Sequence, residues 1–67
     1  MTPILRRACE YVRNTGGNAT EAIFDDDHEP IGPRLRADLH YEGLIRVEDG
    51  KLHLTYKASQ ALSDPVF

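Results

Sequence analysis

RLRADLHYEGLIRVEDGKLHLT, residues 34–55, decides the fold, because a single glycine separates a helical stretch from a hairpin. At its centre Asp49-Gly50 is a two-residue turn signal: a type I′ turn needs positive φ at both central positions, which these residues tolerate. The turn fixes the register, pairing Glu48 with Lys51, Val47 with Leu52, Arg46 with His53 and Ile45 with Leu54. Since side chains alternate between faces, Ile45, Val47, Leu52 and Leu54 are expected on one buried face, with Arg46, Glu48, Lys51 and His53 on the other. Two strands alone are marginal in water, so the apolar face must rest on helices.

Gly32-Pro33 reads as an N-cap followed by proline at the first helical position, and Gly43 as a left-handed stop, which predicts a helix over about 33–42. On a helical wheel Leu35 and Leu39 form a narrow apolar stripe, while Arg34, Arg36, Ala37, His40 and Tyr41 fall on the opposite, basic face. Upstream, Ile4, Leu5, Ala8, Cys9, Tyr11 and Val12 make a helical stripe over about 3–14, with Thr2 as N-cap and Gly16-Gly17 as the end. Asn18-Ala-Thr-Glu21 has the form of a capping box opening a short helix over about 19–25. Residues 25–30 then form a polar connector. After the wing-like hairpin at 44–55, Thr55 caps a last helix over about 56–62.

The predicted class is mainly α with a small β-hairpin: a three-helix bundle, the hairpin and a short C-terminal helix, in one domain spanning 1–67. With 67 residues, 40% of them hydrophobic and no tryptophan, the chain can bury one modest core.

In this order and spacing the chain resembles the winged helix-turn-helix family, the DNA-binding core of MarR-type and ArsR-type repressors. The likeness covers about residues 18–62. It rests on a capped short helix, a second helix ending in Glu42-Gly43-Leu44-Ile45, and a wing closing in Leu54-Thr55 with Ala61-Leu62 beyond. The resemblance implies a recognition helix in the major groove, carried by Arg34, Arg36, Ala37, His40 and Tyr41. It also implies a wing on the backbone, carried by Arg46, Lys51 and His53. Two features depart from the family pattern. Pro30, Gly32 and Pro33 stand where small polar residues open the recognition helix. The net charge of −3 also has the wrong sign for a protein that gains affinity by releasing counterions. The acidity is local: residues 18–30 hold Glu21, Asp25, Asp26, Asp27 and Glu29 and no Lys or Arg, whereas 31–57 hold five bases against four acids.

Other chemistries find little support. Asp25-Asp26-Asp27-His28-Glu29 offers oxygen ligands but lacks the alternation, glycine and distal glutamate of a calcium loop, and reads as a solvated acidic turn. His28, His40 and His53 are too scattered, with one cysteine, for a zinc site, so no metal and no cofactor is expected. Cys9 reads as a small buried hydrophobe. No nucleophile and base pair and no phosphate loop occurs, so an enzyme is not expected. Nor is there an apolar run approaching a membrane span or a signal peptide, which places the expected location in the cytoplasm.

The functional expectation is therefore a small winged-helix DNA-binding protein, a transcriptional regulator. Arg34 or Arg36 would contact guanine, and Arg46, Lys51 and Lys57 would hold phosphates. One such domain reads a short site, so useful affinity calls for a homodimer or a partner. The alternative is a protein–protein interaction module that uses the acidic connector, Asp25, Asp26, Asp27 and Glu29, and binds no DNA.

Overall fold

The computed structural model of the chain describes residues 1–63. Helix α1 (Pro3–Thr15), α2 (Glu21–Asp27) and α3 (Gly32–Tyr41) precede an antiparallel hairpin of β1 (Ile45–Glu48) and β2 (Lys51–Leu54), and α4 (Tyr56–Ser63) follows. The protein is mainly helical with a small β-hairpin, in the expected order. The strand register is the one the turn dictates, from Ile45 opposite Leu54 to Glu48 opposite Lys51. Asp49 and Gly50 take φ of 53° and 73°, as a type I′ turn requires.

Local signals account for most of the boundaries. The Thr2 hydroxyl accepts the Leu5 amide at the start of α1, where Pro3 occupies the first turn. The end of α3 is a Schellman closure, with the Gly43 amide donating to the His40 carbonyl and the Leu44 amide to the Leu39 carbonyl. Gly43, at φ 71°, allows that reversal, and Leu39 and Leu44 both enter the core. Thr55 closes the base of the hairpin by donating to the Gly43 carbonyl at 2.6 Å, while its oxygen accepts the Ala58 amide to open α4.

Three boundaries differ from expectation. Helix α2 is capped by Thr20, whose hydroxyl accepts the Ile23 amide, and not by Asn18. The reason is tertiary: the Ala19 carbonyl accepts the Leu52 amide at 2.8 Å and Thr20 bridges to Lys51, so this segment is an extended third rung beside β2. The helix also runs on through Asp27, absorbing half of the supposed connector. Finally, Gly32 is the first residue of α3 and not its cap; Ile31 takes that place without a side-chain hydrogen bond. A Cβ on Gly32 would stand 2.5 Å from the Asp25 Cα and 2.7 Å from its carbonyl oxygen, so glycine here permits α2 and α3 to touch backbone to backbone.

The core gathers Ala8, Cys9 and Val12 of α1, Phe24 of α2, Leu35 and Leu39 of α3, Leu44, Ile45 and Leu52 of the hairpin, and Ala58 of α4. Burial pushes the Cys9 thiol pKa above its ordinary value, in keeping with a packing residue. Two residues of the expected apolar faces are outside it. Val47, next to the turn, is 41% exposed, and Ile4, in the first turn of α1, is 49% exposed. No helix among the described residues is long and apolar enough to cross a membrane.

Candidate nucleic-acid interface

Arg34 and Arg36 belong to the same ten-residue helix but turn opposite ways. The Arg34 side chain is 85% exposed, and its Nε lies 3.8 Å from the Asp38 carboxylate one turn on. Arg36 is folded against α2. Its Nε and Nη2 each donate to Asp25 at 3.0 Å, a bidentate fork, and Nη1 donates to Glu21 at 2.6 Å. Glu21 and Asp25 are four residues apart on α2, so their carboxylates stack on one face and meet the guanidinium together. Hydrogen bonding to Arg36 holds the Asp25 carboxyl below the usual range, and the same contact raises the Arg36 pKa.

The expectation that Arg36 projects outward with Arg34 is thus overturned. Arg36 lies on the flank of α3 that faces α2, where a pair of carboxylates meets it. The signal in the sequence is the spacing of Glu21 and Asp25 as helix neighbours, which is masked because Glu21 also fits a capping box and Asp25 a polar connector.

Ala37, His40 and Tyr41 are exposed as expected, Tyr41 by 88%. Together with Arg36, Glu21, Ile45 and Val47 they line an open groove of about 470 Å³ between α3 and β1. Its walls are largely apolar, the opposite of the basic face the wheel suggested, because Arg36 is withdrawn and Val47 has moved into view.

The wing residues divide similarly. Lys51 is exposed at the hairpin tip. Arg46 is spread along the wing, donating to Glu48 at 3.0 Å and to the Leu54 carbonyl at 2.9 Å, and it holds the Glu48 carboxyl below its ordinary value. His53 does not project: its ring covers Gly17, so closely that a Cβ there would lie 2.8 Å from it. Gly17 is at φ 86°, so neither the space nor the backbone suits another residue. Lys57 donates to the Glu42 carbonyl at 2.8 Å, binding α4 to the end of α3. Arg6 likewise spends its guanidinium on the Ala61 and Leu62 carbonyls near the end of α4. Cations at helix ends suit the macrodipole, and such placement withdraws charge from the surface.

The acidic run is also partly consumed. Asp25 is in the fork with Arg36, and Asp27 accepts the Tyr11 hydroxyl at 2.5 Å, which pushes the Tyr11 pKa up to about 12. Phe24 and His28 stack at 4.1 Å between ring centres, Tyr11 stands edge-on to both, and His28 Nδ1 donates to the Phe24 carbonyl. Asp26 and Glu29 are left exposed. The acidic connector is therefore more a fastening of α1, α2 and α3 than a free contact surface. No protein-family model, curated protein or solved structure matches the chain.

Proposed function

We propose that the protein binds duplex DNA through the outward side of α3 and the wing. The observation that carries this reading is the joint exposure of Arg34, Ala37 and Tyr41 on a helix whose opposite flank is locked to α2, with Lys51 and Arg46 on the adjoining hairpin. An α-helix held rigidly proud of its bundle can enter a major groove, and a hairpin beside it can meet phosphates.

The contact set is smaller than the sequence suggested. Arg36 acts as a positioning residue, and His53 and Lys57 serve the fold, which leaves Arg34 as the base-directed cation and Arg46 and Lys51 for phosphates. With about two phosphates neutralised, log affinity falls against log salt with a slope near −1.8, about half the roughly −3.6 that four such contacts would give. Fluorescence anisotropy on a labelled random duplex, titrated from about 50 mM salt upward, measures this slope. Lys51→Ala should flatten it by about 0.9, while Arg36→Ala should weaken binding and leave the slope alone. Failure to retain duplex at the lowest salt defeats the proposal.

A second reading has its own support in the apolar groove and the net charge of −3: a basic protein segment would contact Ala37, Tyr41 and Val47, and the exposed Asp26 and Glu29 of the acidic run would be the available acids. Asp26→Asn with Glu29→Gln is then the informative pair, since changing Asp25 or Asp27 also loosens the helices. That variant should leave duplex binding intact or improve it if DNA is the ligand, and abolish partner binding if a basic protein is.

A further inference from the structure

The outward stripe of α3 is chemically simple. Arg34, Ala37 and Tyr41 are spaced at i, i+3 and i+7, so they share one face, over roughly 10 Å of helix, comparable to about three base pairs. Only the first is charged. Arg36, which would have added a second guanidinium, is occupied by Asp25 and Glu21. Ala37 offers a methyl group, and Tyr41 an aromatic ring almost wholly in solvent.

Arg34 is better suited to a base edge than to a phosphate. The Asp38 carboxylate, 3.8 Å from Nε, opposes the approach of a second anion. It also draws on the Nε side of the guanidinium and leaves the two terminal nitrogens as a free fork. That fork matches the two acceptors, N7 and O6, which guanine alone presents in the major groove. Ala37 has no hydrogen-bonding side chain, so what it adds beside Arg34 is apolar contact, and the apolar group in the major groove is the C5 methyl of thymine.

Resting on the DNA-binding reading, we propose that this stripe recognises a short core in which a guanine is followed within about three base pairs by thymine. Arg34 takes the guanine edge, and Ala37 and Tyr41 take the thymine methyls. Val47, 41% exposed across the groove from Tyr41, adds a further apolar surface on the same side.

The test is selection of bound duplexes from a pool with a randomised centre, using the full chain, followed by replacement of thymine with uracil in the selected duplex. Uracil removes the methyl and preserves the hydrogen-bonding edge. The expected result is an enriched core containing G and T. Affinity should fall about fourfold for each contacted methyl removed, the equivalent of one buried methyl group. Tyr41→Ala should lose part of the thymine–uracil difference at unchanged thermal stability, and Arg34→Ala should lose the guanine preference, by about 5-fold to 150-fold. Enrichment without thymine, or equal affinity for thymine and uracil duplexes, overturns this inference and leaves general DNA binding standing. Absence of any duplex binding overturns both.

Discussion

The two flanks of α3 are built on different terms. On the flank toward α2, Gly32 brings the backbones together, Arg36 joins two carboxylates, and Asp27 and Tyr11 extend the fastening to α1. On the other flank Arg34, Ala37 and Tyr41 meet solvent, and Val47 lines a groove with the last two. Neighbours, not residue type, set the role: two arginines with only Leu35 between them differ because only one of them lies opposite Glu21 and Asp25. The closed flank fixes where the open flank points. Substitutions on the closed side should therefore cost stability, and those on the open side should cost binding alone.

The largest effect is expected at Gly32. Its missing side chain would collide with backbone atoms of Asp25, which cannot swing aside as a flexible side chain could. Gly32→Ala must separate α2 from α3, at a cost of about 3 kcal/mol, the upper end for overpacking. For a domain this size, that lowers Tm by more than about 10 °C. An unchanged melting curve would show that the helices can part cheaply, and the closed flank would then lose its meaning.

Next comes the fork itself. Arg36→Ala should cost about 1–2 kcal/mol, between the values for surface and buried pairs, because the groups are only partly screened and Asp25 loses both of its donors. Arg36→Lys should recover little of it, since an ammonium cannot match the bidentate geometry. Arg34→Ala, by contrast, should stay within about 0.5 kcal/mol of the parent. Urea denaturation of the three variants, with Asp25→Asn to complete a double-mutant cycle, decides the matter. Equal losses at positions 34 and 36 would erase the distinction between the flanks.

How much of this could be read beforehand follows the range of the interactions concerned. The hairpin register, the Gly43 stop and the Thr55 cap are local, fixed by residues within a turn of one another, and they appear in the structure as expected. The cap of α2 moved from Asn18 to Thr20 because Ala19 bonds Leu52, more than thirty positions away, and no local pattern contains that bond. Gly32 reads as a cap in isolation and becomes a point of close approach only once α2 is beside it. For the interface, exposure of Arg34, Ala37, His40 and Tyr41 was legible from the wheel. Withdrawal of Arg36 depended on which helix covered its flank, and that of His53 on Gly17 lying beneath its ring.

Acid offers a gentler probe of the same fork. The folded-state pKa of Asp25 is depressed by its hydrogen bonds to Arg36, so its contribution to stability is present above the ordinary carboxylate value of about 3.9 and is lost as pH falls through the lower folded value. Thermal melts between about pH 5 and pH 2 should show a loss that is smaller in Arg36→Ala than in the parent. A parallel loss in both would place the acid sensitivity elsewhere.

The Tyr11–Asp27 contact has the reverse sign. Its phenol pKa is raised from 10.0 to about 12 by donating to the carboxylate, so the contribution is fully present below pH 10 and disappears as pH rises through about 12. Absorbance at 295 nm should contain a late-titrating component that Tyr11→Phe removes, with a stability cost below about 1 kcal/mol at neutral pH. If the phenol that Tyr11→Phe removes titrates at the ordinary value of about 10 and not late, α1 and α2 are not fastened there.

The smallest effect belongs to the open flank, and it is the one that makes the comparison exacting. Tyr41 is 88% exposed near the end of α3, so removing its ring uncovers almost no buried surface, and alanine has the higher helix propensity. Tyr41→Ala should leave Tm unchanged or raise it by the equivalent of a few tenths of a kcal/mol, roughly 1–3 °C. A substantial fall would mean that the ring packs into the groove against Val47 in solution. That groove would then be an outlying part of the core, and Arg34 and Ala37 alone would remain of the outward stripe to approach a ligand.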